Sequence, residues 1–448
     1  MFGLILLLIA IILYIRGNKR WSFLIFISFC GSGFYILTDS FMGLKNQDAA
    51  LLYSICILLY SHFYENKIRY KHNEQLKKSL KLFLAFMILN VLFSIFHYGL
   101  DLMQIIQGGR RYFIVFSFFF LQKARNSDIN WLIRCVIKIT FITSILYIIQ
   151  CLTGLPVLPE SERYFSNDSV DGTLRYYNFP PYLDISIFFL VFSNKFFRKI
   201  PAILYLFTML AALFCTQGRT IIVGTLIVIL VGLYLNGSFS KTMRYVILGA
   251  IVIIPFMPIL IERFESGDKS SANDLTSILS GDFMKPNGQF SGTMTFRFAL
   301  VYERMNYLIN RPIGEQVFGM GLLSDQQTQL VRRMYNFQIG LRDRETGDIA
   351  QLSTPDIAYG NLICRLGFVG MALYLAIWGI MLFQAYKNKK QGPIVFCLFL
   401  YLLNFCISSF SWSMISYSET IILPMLLIAY MDNEKEKARI NNIIQHES

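Results

Sequence analysis

Apolar runs of near-membrane length follow one another through most of this chain. They lie at about 2–15, 21–38, 48–64, 82–98, 110–122, 131–152, 182–194, 200–216, 220–236, 244–261, 358–384, 393–411 and 416–431. A helix needs about 20 apolar residues to cross a bilayer. The runs predict an all-α membrane protein, a polytopic bundle of about 12–13 transmembrane helices, with the first, fifth and seventh runs the shortest. Composition agrees, because 15% of the 448 residues are charged against roughly 25% in soluble domains. The first run starts at Phe2 with no charged segment before it, so it reads as a helix rather than a cleavable leader.

Basic residues fall in every second connection. Arg16, Lys19 and Arg20 follow the first run, Lys67 to Lys81 the third, and Lys123 and Arg125 the fifth. Lys195, Arg198 and Lys199, then Lys241 and Arg244, then Lys387, Lys389 and Lys390 continue the series, while the connections between are poor in lysine. The positive-inside rule makes the basic set cytoplasmic, with the amino terminus outside and the carboxyl terminus inside. The net charge of +13 is therefore a topology signal, and no nucleic-acid partner is expected.

One long polar stretch, from about Glu262 to Pro355, breaks the pattern and falls on the outer side. It carries Arg263, Arg297, Arg304, Arg311, Arg332, Arg333, Arg342 and Arg344 against Lys269 and Lys285. Glu262, Asp274, Glu303, Asp325 and Asp348 are mixed in, which argues for a folded domain rather than a basic tail. Arginine's planar fork binds carboxylate or phosphate in a bidentate way that lysine cannot copy. The expected organisation is membrane helices over 1–261, an external loop domain over 262–357, further membrane helices over 358–431 and a cytoplasmic tail over 432–448.

Several charged groups stand at outer helix ends. Arg219, in Thr216-Gln217-Gly218-Arg219-Thr220, sits where a charge must be paired or face a cavity, and a snorkelling side chain is the simpler alternative. Arg110 and Arg111 open the fifth run, where snorkelling serves equally well. Arg163 and Arg175 lie in the outer connection 153–181, and the tyrosines after Arg175 suit either a sugar ring or the lipid interface. Residues 295–310 read as an amphipathic helix ending before Pro312, with Arg297, Arg304 and Arg311 recurring every seven residues. Gly319-Met320-Gly321 marks a tight turn or a close backbone approach.

Asp356 stands where the chain re-enters the membrane. It suits a helix N-cap, or a general base at a low-dielectric boundary facing arginines. Arg365 is the basic residue well inside the following run and needs a partner there. No histidine lies in the arginine-rich loop, so a histidine base or zinc hydrolase is not expected; there is also no Walker motif. The eight cysteines lie in apolar runs with no paired spacing and read as small hydrophobes, with neither disulfide nor metal site.

In their order and membrane placement these segments resemble the O-antigen polymerase and ligase superfamily of integral membrane glycosyltransferases. The resemblance rests on Gln217-Gly218-Arg219, Thr295-Phe296-Arg297, Arg311-Pro312, Phe318-Gly319-Met320-Gly321, and Asp356-Ile357-Ala358-Tyr359 running to Gly367-Phe368-Val369-Gly370. Ligases of the family place a His-Asn pair at the re-entry point and a glutamate just before the first glycine. Asp356-Ile357 and Arg365 stand near those places here, which favours the polymerase branch.

The resemblance implies an enzyme that joins repeat units carried on undecaprenyl diphosphate, for O-antigen or capsule, at the periplasmic face of the bacterial inner membrane. It implies no cofactor and no metal, with lipid-linked donor and acceptor glycans as partners and a chain-length regulator as a candidate partner. Arg219 and Arg297 would stabilise the diphosphate leaving group, and Asp356 would orient or deprotonate the acceptor hydroxyl. Arg175, Arg304, Arg110, Arg111, Arg311, Arg365 and Tyr359 are the further substrate-binding candidates. A flippase for lipid-linked oligosaccharide, or the ligase, is the alternative.

Overall fold

A backbone amide in lipid has no water to bond, so it must find its partner within its own segment, and helices satisfy that demand. The computed structural model describes residues 2–38, 40–41, 44–65, 73–170, 173–193, 196–236, 277–284, 293–324, 328–340, 348–352 and 356–447. It is about 79% helical. The amino-terminal part contributes α1 (Phe2–Ile15), α2 (Lys19–Cys30), α3 (Asn46–Phe63), α4 (Glu74–Tyr98), α5 (Leu102–Phe113) and α6 (Asn126–Thr153). Then come α7 (Leu183–Phe192), α8 (Lys199–Cys215) and α9 (Arg219–Leu235). The polar stretch supplies α10 (Thr293–Ile309), α11 (Ile313–Phe318) and α12 (Thr328–Met334). The chain closes with α13 (Ala358–Asn388), α14 (Pro393–Ser408) and α15 (Ser418–Glu447).

Most of the expected runs within the described residues fall on these helices, but the fifth, 110–122, does not. There α5 starts earlier and stops at Phe113, and a 3-10 turn over Ile114–Ser117 follows; α2 likewise stops at Cys30, short of the end of the second run. Of the helices, α4, α6 and α13 with its following turn are long and apolar enough to cross a membrane. The others are shorter; α1, at 14 residues, reaches about 21 Å at 1.5 Å per residue. The run at 244–261 and the charged residues Arg263, Lys269, Lys285, Asp325, Arg342 and Arg344 lie outside the described residues. The helix α15 passes 431 without a break, so the basic-acidic tail continues the last helix. Leu8, Leu59, Leu82, Leu89, Phe96, Ile142 and Leu204 point outward, a surface suited to lipid rather than water.

Among the described residues, strand is confined to two antiparallel hairpins. Strand β1 (Ser40–Phe41) pairs with β2 (Leu44–Lys45). Strand β3 (Phe165–Val170) pairs with β4 (Thr173–Tyr176), from Phe165 opposite Tyr176 to Val170 opposite Thr173.

The basic connections after the first, third and fifth runs meet at one end of the bundle. Glu65 binds Lys19 at 2.8 Å and Lys123 at 3.0 Å, and Arg20 binds Asp128 at 2.6 Å. Asn126 bonds Glu434 and Asn433 bonds the Ala124 carbonyl, so the final helix joins the same end.

The opposite end carries the polar stretch, and part of it is inserted among the helices. Residues Phe318 to Leu323 run against α4 and α13 with backbone groups of each residue bonded to neighbours. Asn90 donates to Phe318 O and to Arg365 O at 3.1 Å each, and Tyr98 donates to Gly319 O at 3.0 Å. Met320 N reaches Cys364 O at 2.6 Å, and Leu322 N reaches Ser94 Oγ at 3.2 Å. Two glycines permit this. Gly319 (φ +84°) and Gly367 (φ +62°) stand back to back, and a Cβ on Gly367 would lie 2.5 Å from Val317 O. The close approach expected at Gly319-Met320-Gly321 is therefore present. The eleventh run is not one straight helix, because α13 breaks at Gly367 to receive this insertion.

Candidate active site at the re-entry of the polar stretch

Asp356 lies just before α13, whose N-cap is Ile357, with no side-chain cap bond. The carboxylate therefore stands one residue before the capping position. The first turns of α10 bring Arg297 over it, with Nη2 3.9 Å from Asp356 Oδ1. Arg297 also reaches Met294 Sδ at 3.5 Å, which steadies its stem. Arg175, on β4, acts on the same carboxyl electrostatically. Burial pushes the Asp356 carboxyl above its ordinary value, while Arg297 and then Arg175 pull it back down. Three groups separated by up to 181 positions in the sequence (175 to 356) thus share one half-buried place.

The hairpin that presents Arg175 is fastened to α6. Tyr147 donates to Tyr176 O at 2.8 Å, and Tyr176 donates to Gly154 O at 3.1 Å. Gln150 and Asn178 bond at 3.2 Å beneath it. Arg175 itself lies over the Tyr177 ring at 4.7 Å. The turn before α9 is held to the same hairpin, because Gln217 Nε2 donates to Thr173 O at 2.9 Å. Gln217 adopts φ +51° to do so. Arg219, half-buried at the first position of α9, follows the anchored Gln217 by two residues, and Arg175 follows Thr173, the residue Gln217 binds, by two. On the far side, Tyr359 OH meets Ser409 Oγ at 3.0 Å and Ala358 N meets Ser409 O at 3.2 Å, which fixes the start of α13.

The remaining candidates are placed elsewhere. Arg304, 2% exposed, donates to Leu300 O, Glu303, Ala350 O and Gln351 O and stacks on Phe337, so it binds the polar stretch together. Arg110 pairs with Asp48 at 2.7 Å, joining α5 to α3. Arg111 reaches Gln47 at 3.4 Å and covers the Tyr417 ring at 4.7 Å. Arg311 is exposed and stays with Tyr307 and Glu315. Arg365 donates to Leu323 O at 2.9 Å and holds the inserted segment. Arg163 has no described side chain.

No family model and no curated protein matches this chain.

The geometry of the site accordingly carries the functional argument. A carboxyl with a raised proton affinity beside two guanidinium groups can take a proton and hold a multiply charged anion at one place. Among the described residues no group of three or more His, Cys, Asp or Glu gathers as a metal site. Sequence reasoning passed over Asp184, the acid inside the run at 182–194. Its signal was legible, since an ionisable group within an apolar helix needs a reason to be there.

Proposed function

We propose that this protein is a polytopic glycosyltransferase of the bacterial inner membrane, joining undecaprenyl-diphosphate-linked repeat units into O-antigen or capsular polysaccharide at the periplasmic face. The observation that carries the reading is the meeting of Asp356 with Arg297 and Arg175, supported by Arg219 at the clamped start of α9. The acceptor hydroxyl oxygen forms a bond to the anomeric carbon of the donor as the bond from that carbon to the diphosphate oxygen breaks. The hydroxyl proton passes to Asp356, and the bonding electron pair leaves on the diphosphate. Arg297, Arg175 and Arg219 neutralise the charge that develops there. A raised carboxyl affinity for protons suits the base role, and preorganised arginines supply the counter-charge.

The same reading takes the basic end of the bundle as cytoplasmic and the inserted polar stretch as periplasmic, with about 12–13 spans in all. The experiment is the glycan ladder of the source cell carrying Asp356→Ala in place of the natural chain. Core bearing a single repeat, with the ladder gone, is the expected result. Full polymer stranded on its carrier would point to a ligase instead. Repeat units trapped on the inner face would mean a flippase, and an unchanged ladder would remove Asp356 from the chemistry.

A further inference from the structure

The helix α10 is apolar on two sides. Its inward side buries Thr295, Ala299, Leu300, Arg304 and Leu308. Met305 and Ile309 are four residues apart and share another face, and Ile313 follows past Arg311-Pro312, at the start of α11. All three are exposed, Ile309 to 52% and Ile313 to 79%. A single exposed apolar side chain is ordinary. Three together at the corner between two helices make a patch, and a patch needs a partner.

The packing of α11 fixes the height of this patch on the bundle. The helix α4 is long and apolar enough to cross a membrane, and Leu89, Leu92 and Phe96 are exposed along it, Phe96 to 83%. The start of α11 docks on the last turns of that helix. A Cβ on Gly314 would lie 2.9 Å from Phe93 Cε2, and Glu315 Oε1 is 3.2 Å from His97 Nε2. The Phe93 and Phe318 rings stack at 5.0 Å. Ile313, the residue before Gly314, therefore stands at the height of Phe93 and His97. Phe96 is three residues from Phe93, about 5 Å along the helix axis. Lipid that reaches Phe96 reaches the height of Ile313.

The polar flank of the corner suits the same surroundings. Asn306, Asn310 and Arg311 are exposed beside the patch. The Arg311 guanidinium lies over the Tyr307 ring at 4.5 Å and 3.6 Å from Glu315. Arginine lays its stem on apolar surface and keeps its charge in the polar layer, and with tyrosine it is a usual anchor at the membrane interface. We propose that the α10–α11 corner rests in the membrane that α4 crosses, in the leaflet at the Phe96 end. Acyl chains would lie against Met305, Ile309 and Ile313, and lipid phosphates near Arg311. A water-borne protein partner fits this place poorly, because the patch shares its height with an exposed residue of a membrane-length helix. The inference needs α4 to cross the membrane and does not rest on the glycosyltransferase reading. It also keeps Arg297, twelve residues before Ile309 on α10, within about 18 Å of the lipid surface.

Spin labels read the surroundings directly. The full chain, with its eight natural cysteines replaced, is placed in nanodiscs of phosphatidylethanolamine and phosphatidylglycerol. A nitroxide on Ile313→Cys should be reached by oxygen in preference to a water-soluble nickel chelate, as should one on Phe96→Cys. A nitroxide on Lys437→Cys, exposed on the last turns of α15, should show the opposite preference. A label at 313 that follows Lys437, or that neither reagent reaches because protein covers it, would overturn the proposal. A second measurement keeps every natural cysteine. A photoreactive benzophenone side chain in place of Ile313 should, on irradiation in the same nanodiscs, attach to phospholipid. Attachment to protein instead would give the patch a different occupant and end the inference.

Discussion

Asp356 titrates above an ordinary aspartate because burial outweighs the two guanidinium groups beside it. The folded chain thus prefers the neutral acid, and this contribution to stability is present at low pH and lost as pH rises through the raised value. Activity runs the other way, since a base must be ionised, and the rate should climb with pH through that same value. Asp356→Asn is expected to lose about 100- to 10,000-fold of the polymerisation rate, measured with lipid-linked repeats in detergent. Arg297→Gln should cost about 100- to 1,000-fold through the leaving group. It also removes the larger of the charges favouring the carboxylate, so the acid limb of the pH–rate profile should move to higher pH. A limb that stays in place would mean that another group titrates. At this scale the sequence was informative where a charge stood at the outer end of a helix or in an outer connection, as with Arg297 and Asp356 near helix starts and Arg175 before Pro180-Pro181. It could not separate Arg297 from Arg304, which share a helix face at heptad spacing. Arg304 is taken up by carbonyls of Ala350 and Gln351, and no periodicity within α10 foretells a contact that distant in the chain.

Elements were legible in proportion to their apolar period. The helix expected at 295–310 stands at Thr293–Ile309, and three of the runs are helices long and apolar enough to cross a membrane, while the run at 110–122 is broken by a 3-10 turn over Ile114–Ser117. The break in α13 was not legible, because it depends on a segment from the polar stretch meeting Gly367 from outside the helix. That contact makes a specific demand on side-chain size. Gly367→Ala must accept a left-handed φ and a Cβ 2.5 Å from Val317 O, which together should cost about 2–5 kcal/mol. Gly379→Ala in the same helix meets nothing within 4 Å and should be neutral or gain up to about 1 kcal/mol. Thermal unfolding of the two variants in one detergent reads the difference. Equal midpoints would show that the insertion of Phe318–Leu323 does not hold α13.

At the scale of the whole molecule, two independent kinds of order coincide. Alternation of basic connections along the chain predicts two sides, and the packing gathers Lys19, Glu65, Lys123, Asp128 and Glu434 at one end. The candidate site lies at the other, built from segments that the alternation assigns to the outside. Positive charge is costly to carry across a membrane, so the two ends cannot exchange roles without moving many cations. This makes orientation a sharp test. Ser280 is exposed in the polar stretch, and Lys437 is exposed on the last turns of α15. In a background whose eight natural cysteines are replaced, Ser280→Cys should react with a membrane-impermeant maleimide in spheroplasts. Lys437→Cys should react only after the membrane is opened. The reverse pattern would place Asp356 and its arginines on the cytoplasmic side, where the carrier-linked polymer is not assembled in the proposed reaction, and the glycosyltransferase reading would fall with it. Labelling of both sites from outside would mean that the bundle crosses an odd number of times fewer or more than the alternation requires. The site's geometry would then stand, but its substrate would have to be sought again from the chemistry of the arginines alone.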